Sequence, residues 1–157
     1  MKTTIKLLLA TFFLLSSLTS CKKSDNIIEA ELELRPVSFM SAYGANDKEY
    51  SNAIKEIDSV LKYHPDSNVY SLYKYFNYID SLGLFRNPYI FLEIKKDSVI
   101  PVYLSKKEYK KVKEFKWVDL ANQNKKVKLK IELSKIEDSI YYSDHIIEVK
   151  KVNDNKK

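Results

Sequence analysis

Apolar and polar positions alternate along much of this chain, and the period changes from that of a strand to that of a helix and back. Ala30, Leu32 and Leu34 interleave with Glu29, Glu31 and Glu33, the pattern of a strand with one wet face. Pro36 limits the far end of that strand to an edge or a bulge. Asn46 and Glu49 then match a capping box. Behind them, Tyr50, Ile54, Ile57 and Leu61 fall on one helical face, and the helix ends near His64 because Pro65 follows. Asp66 or Ser67 can cap a second helix with an inner stripe of Val69, Leu72, Tyr73, Phe76 and Ile79. Gly83 is placed to stop it.

The second half reads as strand. Residues 89–95 (YIFLEIK) and 99–104 (VIPVYL) flank Lys96-Asp97, a tight hairpin turn. Ser105 and Glu108 repeat the capping pattern and open a short basic helix whose Tyr109, Val112 and Phe115 face inward. Val127, Leu129, Ile131 and Leu133 alternate with Lys128, Lys130, Glu132 and Ser134. A turn at Glu137-Asp138-Ser139 leads into a last strand over 140–150. The predicted fold is α+β: a small antiparallel sheet of about five strands, a helical pair after strand 1, and a short helix between strands 3 and 4. Without the helical pair, the element order is that of an OB-like barrel, so the alternative is such a barrel with a helical insertion.

The first 21 residues follow a different logic. Lys2 and Lys6 precede a nine-residue apolar run (LLLATFFLL, 7–15) and then small polar residues, the layout of a secretory signal. The run is far short of the roughly 20 apolar residues that a spanning helix needs. Leu18-Thr19-Ser20-Cys21 resembles the lipobox of bacterial lipoproteins, and Cys21 is the single cysteine of 157 residues. The resemblance implies cleavage before Cys21 and diacylglyceryl and fatty-acyl groups on it. Lys22, rather than aspartate, after the cysteine favours the outer membrane in the enterobacterial scheme. The absence of an acidic run there favours its periplasmic side over the cell surface. The expected organisation is therefore a cleaved signal (1–20), a lipidated cysteine with a short tether (21–27), one globular domain (28–152) and a tail (153–157).

Charge and composition narrow the chemistry. The chain carries 27 basic and 21 acidic residues; loss of Lys2 and Lys6 leaves 25 against 21, or +4. With Cys21 acylated no disulfide can form, so packing alone must support the domain. Two isolated glycines cannot build a phosphate-binding loop. Two histidines and one committed cysteine cannot make a four-ligand zinc site. No G-x-S-x-G elbow is present, and no metal or cofactor site is predicted.

Several residues are candidates for function. His64 and His145 can act as general bases or be ordinary turn and surface residues. Glu29, Glu31 and Glu33 share a strand face, as glycosidase carboxylates or as a solvated edge. Residues 105–130 hold ten lysines against Glu108, Glu114 and Asp119. For a tethered protein, anionic lipid is a better counterpart than nucleic acid, with Lys22, Lys23, Lys106, Lys107, Lys110 and Lys111 as contacts. Tyr70, Tyr75 and Tyr78 lie off the second helix's apolar stripe, either as a partner surface for an envelope protein or glycan, or as packing against strands. The expectation is a membrane-anchored envelope lipoprotein that binds a partner without catalysis; the alternative is a small envelope hydrolase using carboxylate or histidine chemistry.

Overall fold

The computed structural model describes residues 26–33, 41–115, 125–137 and 139–153. In chain order these form β1 (Ile27–Glu33), α1 (Asp47–Tyr63), α2 (Tyr70–Ser81), β2 (Tyr89–Lys95), β3 (Ser98–Leu104), α3 (Lys106–Tyr109), β4 (Lys125–Glu137) and β5 (Ile140–Asn153). The α+β class and the positions of all three helices are as the sequence patterns require. The sheet is mixed rather than wholly antiparallel, because β3 and β5 run parallel through Val102–Leu104 and Tyr141–Ser143. β1 pairs with β4 along its first half and with β2 along its second, so the strands close into a barrel in the order β1-β2-β3-β5-β4. That ring, with α3 between β3 and β4 and a helical pair after β1, is the arrangement of the OB-like alternative.

Local chemistry accounts for the helix ends. The Asn46 side-chain oxygen accepts from the Lys48 and Glu49 N–H groups at 3.0 Å each, and Glu49 accepts from the Asn46 N–H at 2.8 Å. This reciprocal box satisfies donors that the first turn leaves without partners. Asn46→Ala should therefore lower the unfolding free energy by about 1 kcal/mol, read as a lower urea midpoint with an unchanged slope.

At the end of α2, Gly83 takes φ +70°. Leu84 N–H donates to Ile79 C=O at 3.1 Å and Gly83 N–H to Asp80 C=O at 2.8 Å, the paired bonds of a Schellman cap. The start of α2 departs from expectation. Neither Asp66 nor Ser67 is its cap; Val69 is, without a side-chain bond, while the Ser67 hydroxyl accepts from Val69 N–H. Its inner face is also narrower than the apolar stripe. Phe76 and Ile79 are buried and Tyr73 half-buried, but Val69 and Leu72 stand 37% and 46% exposed. The first turn of α2 projects past the surface that the rest of the helix covers.

Two cores result. One fills the barrel with Ala30, Leu32, Leu92, Val102, Leu104, Val127, Leu129, Ile131 and Ile146, closed by Val112 beyond α3, with Tyr109 and Phe115 against it. The other lies between the helical pair and the barrel and contains Ile57, Phe76, Ile79, Leu84, Phe85, Tyr103 and Ile140. Arg86 fastens the helical layer at its rim. It pairs with Asp47 at 3.0 Å and lies over the Tyr50 ring at 4.8 Å, while the Tyr50 hydroxyl donates to Asp80.

Bulges bend the strands enough to close the ring. The β2–β3 register shifts by one residue at Ile94, and the β4–β5 register shifts at Ile136, near Ser143 and at Ile147. Ile94, Ile136 and Ile147 are each 37–41% exposed. An inserted residue breaks the inside–outside alternation, which puts these isoleucines outside.

Candidate functional site

Cys21, Lys22 and Lys23 lie outside the described residues, as do Leu34, Pro36, Asp119 and Asp138. The remaining candidates fall on three separate parts of the fold. Tyr70, Tyr75 and Tyr78 do not make one surface. At 3.6 residues per turn, Tyr75 sits about 140° around the helix from Tyr70. It turns inward against the second core, and its hydroxyl lies 3.3 Å from that of Tyr103. Tyr70 is half-buried and Tyr78 exposed. The proposed three-residue partner surface is thus split by the packing of its middle member.

The acidic strand face is matched with base. Glu29 and Glu31 stand opposite Lys130 and Lys128 in the β1–β4 register, and Glu31 pairs with Lys126 at 3.0 Å. Such alternation describes a solvated, charge-paired surface. His145 Nδ1 lies 3.2 Å from Glu132, its cross-strand neighbour, on the outside of the barrel. His64 caps α1 and is exposed. The two imidazoles are on different layers of the fold, and among the described residues no three His, Cys, Asp or Glu side chains gather as metal ligands would.

The basic helix holds the densest chemistry. The Ser105 hydroxyl accepts from Glu108 N–H at 3.2 Å, as a cap should. The Glu108 carboxylate does not turn back to complete the box. It is 1% exposed and accepts from Ile146 N–H at 2.6 Å. Lys111 Nζ sits 2.6 Å from the same carboxylate and donates to Ile146 C=O at 2.7 Å. Ile146 adjoins the Ile147 bulge, and both its backbone groups are taken up by this one ion pair. Burial alone would raise the Glu108 carboxyl, but hydrogen bonds from Lys111 and Ile146, with the charges of Lys111 and Lys107, hold it below its usual value of 4.5. Lys111, expected among the lipid contacts, is partly exposed, but its ammonium is engaged with Glu108 and Ile146. Lys106, Lys107 and Lys110 are exposed as anticipated, and Lys113 joins them.

A second grouping escaped the sequence pattern. Tyr75, Tyr103 and Tyr89 adjoin one another between α2 and the β2–β3 hairpin, with Tyr89 and Tyr103 ring centres 6.1 Å apart. Tyr43 meets Tyr109 edge to face at 5.2 Å. Burial, the largest cause, raises the phenols of Tyr75, Tyr103 and Tyr109, and the nearby Tyr89 adds to the shift. These hydroxyls stay protonated near neutral pH and serve as hydrogen-bonding groups, not bases. The signal lay in register. A hairpin turning on Lys96-Asp97 without a bulge would set Tyr89 opposite Leu104, whereas the extra Ile94 sets it opposite Tyr103.

Comparison with family models, with curated proteins and with solved structures finds no match to this chain.

Proposed function

We propose that this chain is a lipid-anchored envelope lipoprotein whose barrel acts by binding a protein, lipid or glycan partner, without catalysis. The observation that carries the reading is the signal-like run ending in Leu18-Thr19-Ser20-Cys21, with the chain's single cysteine at the acceptor position. Diacylglyceryl attachment there, with further acylation after cleavage, gives an anchor of two or three chains. One acyl chain binds only marginally, whereas two or more hold a protein to a bilayer for practical purposes. The destination proposed is the periplasmic face of the outer membrane.

The fold is compatible with a body held close to its anchor. Asn26 C=O accepts from Leu133 N–H at 2.9 Å, so the β-ladder begins five residues after Cys21. Five residues span at most about 17 Å. The positions of the titratable groups support binding over hydrolysis. His145 is beside Glu132, Glu29 and Glu31 face lysines, and Glu108 is engaged with Lys111 and backbone.

Cys21→Ala tests the anchor. The variant should move from the membrane fraction to the soluble fraction of lysed cells, and the wild-type mature protein should carry the mass of its acyl groups. Unchanged detergent partitioning of the variant would count against the proposal.

A further inference from the structure

Two rows of contacts run from α3 through β5 and β4 to the start of β1. In the first, Ser105 N–H donates to Ser143 C=O on β5 at 3.0 Å; Leu133, opposite this stretch on β4, donates to Asn26 C=O. In the second, Glu108 and Lys111 grip Ile146, which is opposite Ile131, which is opposite Ile28. Neighbouring strands lie roughly 4.8 Å apart, so each row covers about 15 Å or less. The end of the chain that leads to Cys21 and the lysines around α3 thus occupy one region of the barrel, although some 80 residues separate them in sequence.

The charges there differ from those on the strands. Strand lysines lie among acids, Lys126 with Glu31 and Lys150 with Glu148, while Lys151 reaches Glu114 just beyond α3. Around α3, Glu108 is buried and already neutralised by Lys111. Lys106, Lys107, Lys110 and Lys113 are exposed on that same segment. Lysines act on a charged leaflet only within a Debye length, about 8–10 Å in physiological salt. A tether of at most about 17 Å, joined to the barrel within about 15 Å of this segment, lets these lysines reach that range.

We propose that the face bearing Lys106, Lys107, Lys110 and Lys113 rests on the anionic leaflet that holds the Cys21 lipid, which fixes how the barrel is turned relative to the membrane. This rests on the lipoprotein reading above. It directs α3 toward the bilayer. Lys126 and Lys150, paired with Glu31 and Glu148, take no part.

The test uses the full-length lipidated protein in vesicles of phosphatidylcholine, with or without phosphatidylglycerol. Lysine acetylation is followed residue by residue by mass spectrometry. On anionic vesicles the four α3 lysines should be acetylated about fivefold more slowly than on neutral ones, the factor expected of one favourable lysine–headgroup contact. Lys55 and Lys74 on the helical pair should not change. Lys106→Glu with Lys107→Glu and Lys110→Glu should remove the protection at Lys113 while the protein still floats with the vesicles. Equal acetylation on both vesicle types, in protein that co-floats, overturns the orientation and leaves the anchor intact. Protein that fails to float removes the anchor and the orientation together. Protection seen only in native envelopes assigns the face to another molecule and also overturns it.

Discussion

Replacing Glu108 by alanine is expected to lower the unfolding free energy by about 1–3 kcal/mol, the range for leaving a buried donor without its acceptor. The truncation leaves Ile146 N–H, 2.6 Å from the carboxylate in the native fold, without an acceptor in a site water does not reach. Lys111, 41% exposed, loses its ion-pair partner but remains open to water. Glu108→Gln keeps an acceptor for the N–H but loses the charge, so its loss should be smaller. Urea denaturation of the three proteins measures the series. If alanine and glutamine behave alike and both cost less than about 1 kcal/mol, the pair is no more than an exposed i,i+3 contact.

The same group gives the fold a pH dependence of known sign. The folded state holds the Glu108 carboxyl below 4.5, so the unfolded chain binds its proton more readily. Its contribution is complete above that value and disappears as pH falls through the lower, folded value. In Glu108→Gln the acid limb of the stability profile should be shallower than in wild type, while the two profiles run parallel above pH ~5.

Tyr103→Ala is the second large effect expected, at about 3–5 kcal/mol for removal of a buried aromatic ring. Tyr103 is fully buried and is the largest such side chain among the described residues. Its neighbours come from both layers: Tyr75 of α2 on one side and Tyr89 of the barrel on the other. Truncation should therefore weaken the attachment of the helical pair more than the barrel. Hydrogen exchange should show faster opening of α1 and α2, with the β1–β4 ladder less affected. Tyr103→Phe retains the ring and removes the hydroxyl that bonds to Tyr75, for about 1 kcal/mol. Equal acceleration of exchange in helices and strands would mean that the two cores unfold as one.

Much of the fold was legible because local signals coincide with it. Asn46 and Glu49 close their box, Gly83 provides the left-handed residue that ends α2, and Lys96-Asp97 joins β2 to β3. Each of these depends on residues within a few positions of one another. The lysine cluster was legible for the same reason. The role of one member was not: whether Lys111 points to solvent or to Glu108 depends on where β5, 35 residues later, passes α3. The tyrosine grouping depends in the same way on a bulge that no residue type announces. Ile94 is a strong strand former whether or not it is an extra residue in the ladder.

The sequence by itself determined the elements, their order, the alternation that fills the barrel, and the signal-like start with its single cysteine. All follow from neighbour-to-neighbour spacing, which the chain carries wherever it goes. Only the tertiary structure decided that the sheet closes, that β3 meets β5 in parallel, that Tyr75 turns inward, and that α3 packs on β5 through Glu108 and Lys111. Those outcomes depend on bulges and on contacts between distant segments, where a one-residue shift reverses which side chains face the core.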